Sequence, residues 1–216
     1  MNIIERPGPP SKQGYPGMAF NACRGVVCHS MVGSLMAGFG ELYKLERRAS
    51  WHFSIAKDGT IYRHYPDKAV TWHAGTARYN GIYIGIEHEG GGPGNESEPL
   101  TLPQREASVA LVRSLALEHA FPLVREIGLR EHNELSQTAC PSGRIPWEYY
   151  TVEDDMAITL ALTAIPIGGG VQIRLYALGQ AAPVWIADKA QADDLISAFG
   201  QPKELDWATL VRLGAT

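Results

Sequence analysis

The chain reads as an α/β protein, and three observations carry that reading. RGVVCHS (residues 24–30) and YIGIEHEG (residues 83–90) are short apolar runs that end in polar or charged residues, the pattern of buried strands. WHFSIAKDGTIYRHY (residues 51–65) is a pair of alternating runs joined by Lys57-Asp58-Gly59, where glycine supplies the positive backbone angle of a tight turn, so it predicts a hairpin. SLMAGFGELYKL has apolar residues at helical spacing, interrupted by Gly38 and Gly40. A second helix is predicted where Thr101 and Gln104 make a capping box, with Leu102, Ala110, Leu111, Leu115 and Leu117 on its apolar face and an end near Ala120. His119 falls at its C-terminal end, where a cation is welcome.

Around these elements, residues 1 to about 20 are rich in Pro and Gly and read as an extended arm on the domain surface. GGGPGNESEP is a loop by composition. Of the histidines in the hairpin, His64 reads as a solvated strand residue. Glu89 reads as solvated, and His88 should face away from Glu87 because side chains alternate along a strand.

Composition narrows the functional classes. With 216 residues, 45% of them hydrophobic, the chain can bury a sizeable core. A net charge of -4 lacks the basic footprint of a nucleic-acid binder, and no run is long enough to cross a bilayer, so neither nucleic acid nor membrane is expected as a partner. Cys23, Cys28 and Cys140 cannot form a disulfide framework, and Cys23 and Cys28 are expected as free thiols. No signal peptide is evident at the start, which favours synthesis into a reducing cytoplasm.

The stretch EHNELSQTACPSGRIPW (residues 131–147) holds the chemistry. His132 and Cys140 lie close together in a loop-like run, and an imidazole with a thiolate suits zinc. Taken singly, His132 reads as a surface histidine and Cys140 as a small buried hydrophobe. A catalytic zinc needs three protein ligands and an open position, and the best third donor is His29, at the end of RGVVCHS.

Read in order, RGVVCHS, ASWHFSIAKDGTIYRHYPDKAVTWHAGT, YIGIEHEG and EHNELSQTACPSGRIPW resemble the zinc-dependent N-acetylmuramoyl-L-alanine amidases of type 2, a family that includes phage endolysins and relatives of the peptidoglycan recognition proteins. The resemblance runs from about Gly25 to about Trp147. It implies a mixed central β-sheet flanked by helices, Zn2+ as cofactor, and His29, His132 and Cys140 as its ligands. Some members that recycle wall fragments carry Asp at the last ligand position, so Cys140 places the chain nearer the lytic, phage-like branch. In the family, His73 of AVTWHAGT lies in the substrate groove, where an imidazole can donate to a developing oxyanion. Trp72 and Trp51 are taken with it as substrate-binding residues. Trp51 stands where some phage members carry a catalytic tyrosine, and an indole cannot replace a phenol as acid or base.

Glu87 is the candidate general base. A central strand rarely buries a carboxylate without a partner or a task, and several lysins hold glutamate at the matching position. Thr138 stands where several phage relatives have a lysine and amidase-active recognition proteins a threonine, so its hydroxyl is the expected second oxyanion donor.

Beyond Trp147 the resemblance ends. Thr151 to Leu162 reads as a closing helix, IPIGGG as a linker, VQIRLYALG and APVWIAD as paired strands and KAQADDLISAFG as a helix. The expected organisation is an arm (1–20), a catalytic domain (21–164) and a small C-terminal ββα module (165–216) with a possible wall-targeting role. Trp185, Tyr176 and Trp207 are either its core or a sugar-stacking surface. The resemblance implies a phage-type endolysin that accumulates in the host cytoplasm and then cleaves the bond between N-acetylmuramic acid and L-alanine in bacterial peptidoglycan. Its rivals are a cytoplasmic recycling amidase acting on soluble anhydro-muropeptides and a non-catalytic peptidoglycan-binding module.

Overall fold

A computed structural model describes residues 3–151 throughout and, beyond them, the strand segments 159–167, 170–178, 184–186 and 203–204. Six strands make one mixed sheet: β1 (Ile3–Glu5), β2 (Val26–Ser30), β3 (Phe53–Ile55), β4 (Ile61–Arg63), β5 (Ile84–His88) and β6 (Leu129–Glu131). Their spatial order is β1-β4-β3-β5-β2-β6, with β3 and β4 antiparallel and every other pair parallel. The two apolar runs therefore become the adjacent strands β2 and β5, flanked on both sides. The hairpin turns at Gly59, whose φ of 88° explains the glycine.

The helices are α1 (Leu35–Tyr43), the single-turn α2 (Ala77–Asn80) and α3 (Leu102–His119). Ser34 caps α1 by accepting from the Ala37 amide, and Thr101 caps α3 by accepting from the Gln104 amide. The capping box is only half formed, because the Gln104 side chain turns inward and donates to the carbonyls of Ile55 and Glu89. Consequently the buried stripe of α3 is Gln104, Ser108, Leu111, Val112, Leu115 and Ala116. Leu102 and Leu117, expected on that face, are both 56% exposed. Polar residues whose partners lie on the sheet displaced them. Leu111, Val112 and Leu115 pack on Val26, Cys28, Phe53, Ile55, Ile84 and Ile86, which is the main core. Each fully buried aliphatic side chain there contributes about 1.5–3 kcal/mol.

Several surface expectations are corrected by burial. The N-terminal arm supplies β1, which extends the sheet beside β4. Its Lys12 is 1% exposed, and the ammonium donates to the carbonyls of Glu41, Leu42 and Lys44, satisfying the end of α1. His64 is buried between the Ser54 hydroxyl and the Arg6 carbonyl rather than solvated. Glu89 is a brace: one carboxylate oxygen accepts from the Leu35 amide at the start of α1 and the other from the Lys57 amide in the hairpin turn. His119 does sit at the end of α3, where it is paired with Asp67 at 2.9 Å. Cys23 and Cys28 are separate, buried free thiols.

Toward the C-terminus, β7 (Thr159–Ile167), β8 (Gly170–Leu178), β9 (Val184–Ile186) and β10 (Lys203–Glu204) form a second sheet in the order β10-β7-β8-β9. Residues 159–162, expected to end a helix, are strand, and the apolar part of the expected linker lies inside β7. A β7–β8 hairpin thus crosses the expected boundary at residue 164. β8 and β9 match the two strands expected there. The expected helix KAQADDLISAFG and the side chains of Tyr176, Trp185 and Trp207 lie outside the described residues. Among the described residues, no helix is long and apolar enough to cross a membrane.

Candidate metal centre

The site lies on the face of the six-stranded sheet opposite α3. Register places His29 of β2 beside Glu87 of β5, and Glu87 beside Ser54 of β3, so these three form a row across adjacent strands. In-register residues on neighbouring strands share a face, about 4.8 Å apart. The alternate residues Cys28, Ile86 and Phe53 point into the α3 core, as does His88, which meets Ser108 there. His88 therefore faces away from Glu87, as strand alternation requires.

His132 opens a single 3-10 turn (His132–Glu134) immediately after β6, which runs beside β2. The Asn133 amide donates to the Cys140 carbonyl at 2.9 Å, closing the loop and returning Cys140 to the end of β2. The Ser30 amide then donates to Cys140 Sγ at 3.2 Å. Ligand atoms of His29, His132 and Cys140 all lie within 4.8 Å of one another, with His29 Nδ1 3.9 Å from Cys140 Sγ.

The donor chemistry fits a divalent cation. Burial holds His29 well below the usual imidazole range, reinforced by His73 and His132, and burial likewise lowers His132. Neutral imidazoles offer lone pairs. Burial pushes the Cys140 thiol up to about 12, with Glu87 adding to the rise and the Ser30 amide opposing it. A bound cation reverses that penalty, because the charge stabilises the thiolate. Two imidazoles and a thiolate, drawn from β2 and the 131–147 loop, match the ligand types of zinc.

Glu87 stands beside this cluster. Its Oε2 is fully buried with no hydrogen-bond partner, and desolvation raises its carboxyl to about 8 against the opposing pull of Arg144. An orphaned carboxylate oxygen next to a donor cluster is costly unless it has a task. The Thr138 oxygen accepts from the Cys140 amide at 3.2 Å, which leaves its hydroxyl proton free to donate.

The expected substrate-binding residues fare differently. Trp51 is 5% exposed, its indole donates to the Ser54 hydroxyl, and it packs with Met31, Leu42 and Tyr65. It is therefore a core residue, not a groove wall. Trp72 is half-buried, with its indole N–H committed to the Gly14 carbonyl and Arg48 over its ring. His73 is buried beside His29, and both ring nitrogens are engaged: Nδ1 lies 3.1 Å from His29 Nε2 and Nε2 lies 3.1 Å from the Tyr83 carbonyl. With both engaged, neither ring nitrogen is left to donate to an oxyanion as expected.

Arg144 went unnoticed in the sequence. It is 3% exposed, donates to the Ser30 hydroxyl at 2.7 Å and to the Glu89 and Glu98 carbonyls, and so ties the glycine-rich loop to the ends of β2 and β5. Nothing in its surroundings in the chain marks it. Gly85 was detectable, since a glycine inside an apolar strand signals a close approach.

Fold and site together define a mixed-sheet α/β protein with a two-imidazole, one-thiol cluster that could hold a metal ion at the ends of its parallel strands. Residues 19–143 match the N-acetylmuramoyl-L-alanine amidase family, and the chain belongs to that family. It is 29% identical over 124 residues to endolysin 2638A of Staphylococcus phage 2638A, covering 55% of this chain and 25% of that protein. The chain thus spans about a quarter of the length of that relative. The N-acetylmuramoyl-L-alanine amidase LysC from Clostridium intestinale is similar in structure, with TM-score 0.50 and 26% identity over 69% of this chain and 95% of that one. A mutant of Drosophila PGRP-LB in complex with tracheal cytotoxin shares the fold, with TM-score 0.53, 19% identity, and coverage of 69% and 96%.

Proposed function

We propose that this protein is a phage-type endolysin that hydrolyses the amide between N-acetylmuramic acid and L-alanine in bacterial peptidoglycan, with zinc held by His29, His132 and Cys140. The observation that carries the proposal is the convergence of those three donors beside the orphaned Oε2 of Glu87. Family membership and the endolysin relative support the bond and the polymer attacked. When bound, zinc supplies a Lewis acid that polarises the scissile carbonyl and lowers the pKa of water to about 7.

The protein's own groups do the rest. Glu87 accepts the proton of the attacking water and passes it to the leaving L-alanine amine. Burial raises the Glu87 carboxyl to about 8 in the metal-free protein, and a cation bound beside it would favour the ionised form that accepts the proton. The Thr138 hydroxyl donates to the carbonyl oxygen as negative charge develops there. Arg144, through Ser30 and the glycine-rich loop, keeps the end of β2 in place. For domain organisation, we place the end of the catalytic unit before Thr159, with the β7–β10 sheet forming the C-terminal module.

Purified protein is assayed on intact sacculi, with and without a chelator, for new L-alanine amino termini. Release abolished by chelation and restored by zinc is the expected result. Cleavage of soluble muropeptides alone points to a recycling amidase, and binding without cleavage to a recognition module.

A further inference from the structure

The Tyr83 carbonyl can only accept a hydrogen bond, so His73 Nε2, 3.1 Å away, carries the proton. A neutral His73 then presents a lone pair at Nδ1, and the atom facing it at 3.1 Å is His29 Nε2, which must donate. That leaves His29 Nδ1 as the bare lone pair, and it is the nitrogen on the Cys140 side, 3.9 Å from Sγ. We propose that His73 is a positioning residue that holds His29 in its Nε2–H tautomer and aims Nδ1 at the metal. This rests on the reading of His29 as a ligand. Outer partners of this kind fix ring orientation and raise ligand basicity.

The surroundings are built for the task. A Cβ at Gly85 would lie 2.6 Å from His73 Cγ, so glycine in the middle of β5 is what admits the ring. Asn80 Oδ1 accepts from the backbone amides of His73 and Ala74 at 3.0 and 2.7 Å, fixing the segment that carries the imidazole. Asn21 donates to the Tyr83 carbonyl at 2.6 Å, anchoring the far end of the relay. On the opposite face, His88 Nδ1 donates to the His29 carbonyl at 2.8 Å and holds the backbone of the ligand.

The test begins with metal-free protein carrying 15N-labelled histidine. Long-range proton–nitrogen spectra are expected to show His29 as the Nε2–H tautomer, and a His29 protonated at Nδ1 would overturn the proposal. Zinc affinity is then measured by competition with a chromophoric chelator. His73→Leu, with fold checked by near-ultraviolet circular dichroism, is expected to lose about 10–100-fold. His73→Gln, whose amide can accept from His29 and donate to Tyr83, is expected to recover most of that loss. A folded His73→Leu that binds zinc as tightly as the parent refutes the role, as does a glutamine variant as weak as leucine. Failure of the parent to bind zinc would remove the metal reading, while the tautomer spectrum still decides the relay.

Discussion

Among the described residues, two groups gather three potential metal donors within 4.8 Å: His29, His132 and Cys140 on the sheet, and Asp67, Glu118 and His119 at the end of α3. In the second, His119 donates to Asp67 Oδ2 at 2.9 Å, Arg63 approaches Asp67 Oδ1 at 3.6 Å, and Glu118 is largely exposed. Asp67 is thus met from both sides, by His119 and Arg63. In the first, burial holds the His29 and His132 rings below the usual imidazole range, and both lie beside the half-buried sulfur of Cys140. Proximity is common to both groups; the first is set apart by its two imidazoles and a thiol, the ligand types zinc takes, whereas in the second the imidazole is already engaged by Asp67.

The sharpest way to break this contrast is removal of the metal. Thorough chelation is expected to abolish L-alanine release and zinc to restore it, and Cys140→Ser should retain much less zinc on dialysis, measured by elemental analysis. Undiminished turnover in chelator would refute the assignment.

Next in size is Glu87→Gln, expected to bind zinc normally and to lose about 10²–10⁴-fold in kcat. A near-normal rate would return Glu87 to a structural role.

Acid should then expose the cost of the buried histidines in the metal-free protein. Burial depresses His52, His64 and His88 to about 4 and His73 to about 3, against 6.5 when exposed. Between those values the unfolded chain binds more protons, so stability is whole above pH 6.5 and falls on acidification through about 4. Each such histidine adds a slope of about 1.4 kcal/mol per pH unit. Glu87, raised from 4.5 to about 8, has the opposite sign, its share being lost as pH rises through that window. Chemical denaturation at stepped pH should therefore show a net loss below pH 6.5, steeper in Glu87→Gln. A flat profile contradicts neutral burial of the rings.

The smallest effect is expected at the second group. His119→Gln should leave zinc content unchanged and lower stability by about 1–2 kcal/mol, seen as a shift in urea midpoint. A variant with reduced zinc content would show that the α3 group also holds metal.

Much of the fold could be read from local pattern. The β2 and β5 runs, the Gly59 hairpin, the helical spacing of SLMAGFGELYKL and the Thr101 helix start each depend on a few neighbouring residues, and all appear where expected. His29, His132 and Cys140 could be named because donor chemistry is a property of the side chain itself. Errors fell where a distant partner decides the environment. Gln104 and Ser108 look like surface residues until β5 and the neighbouring carbonyls supply their hydrogen bonds. Lys12 looks solvated until the end of α1 offers three carbonyls. Trp51 looks like a groove residue until Met31, Leu42 and Tyr65 close around it.

Residue type and order were enough to point to β2, β5, the hairpin turn and the candidate metal donors, because backbone preference and lone-pair chemistry act over a few atoms. Which nitrogen of His29 faces Cys140, why His73 is engaged on both sides and why one oxygen of Glu87 is left unpaired were decided by the folded arrangement. Those features require β2, β5 and the 131–147 loop to be stacked in one register, and desolvation and hydrogen-bond direction exist only after that packing has formed.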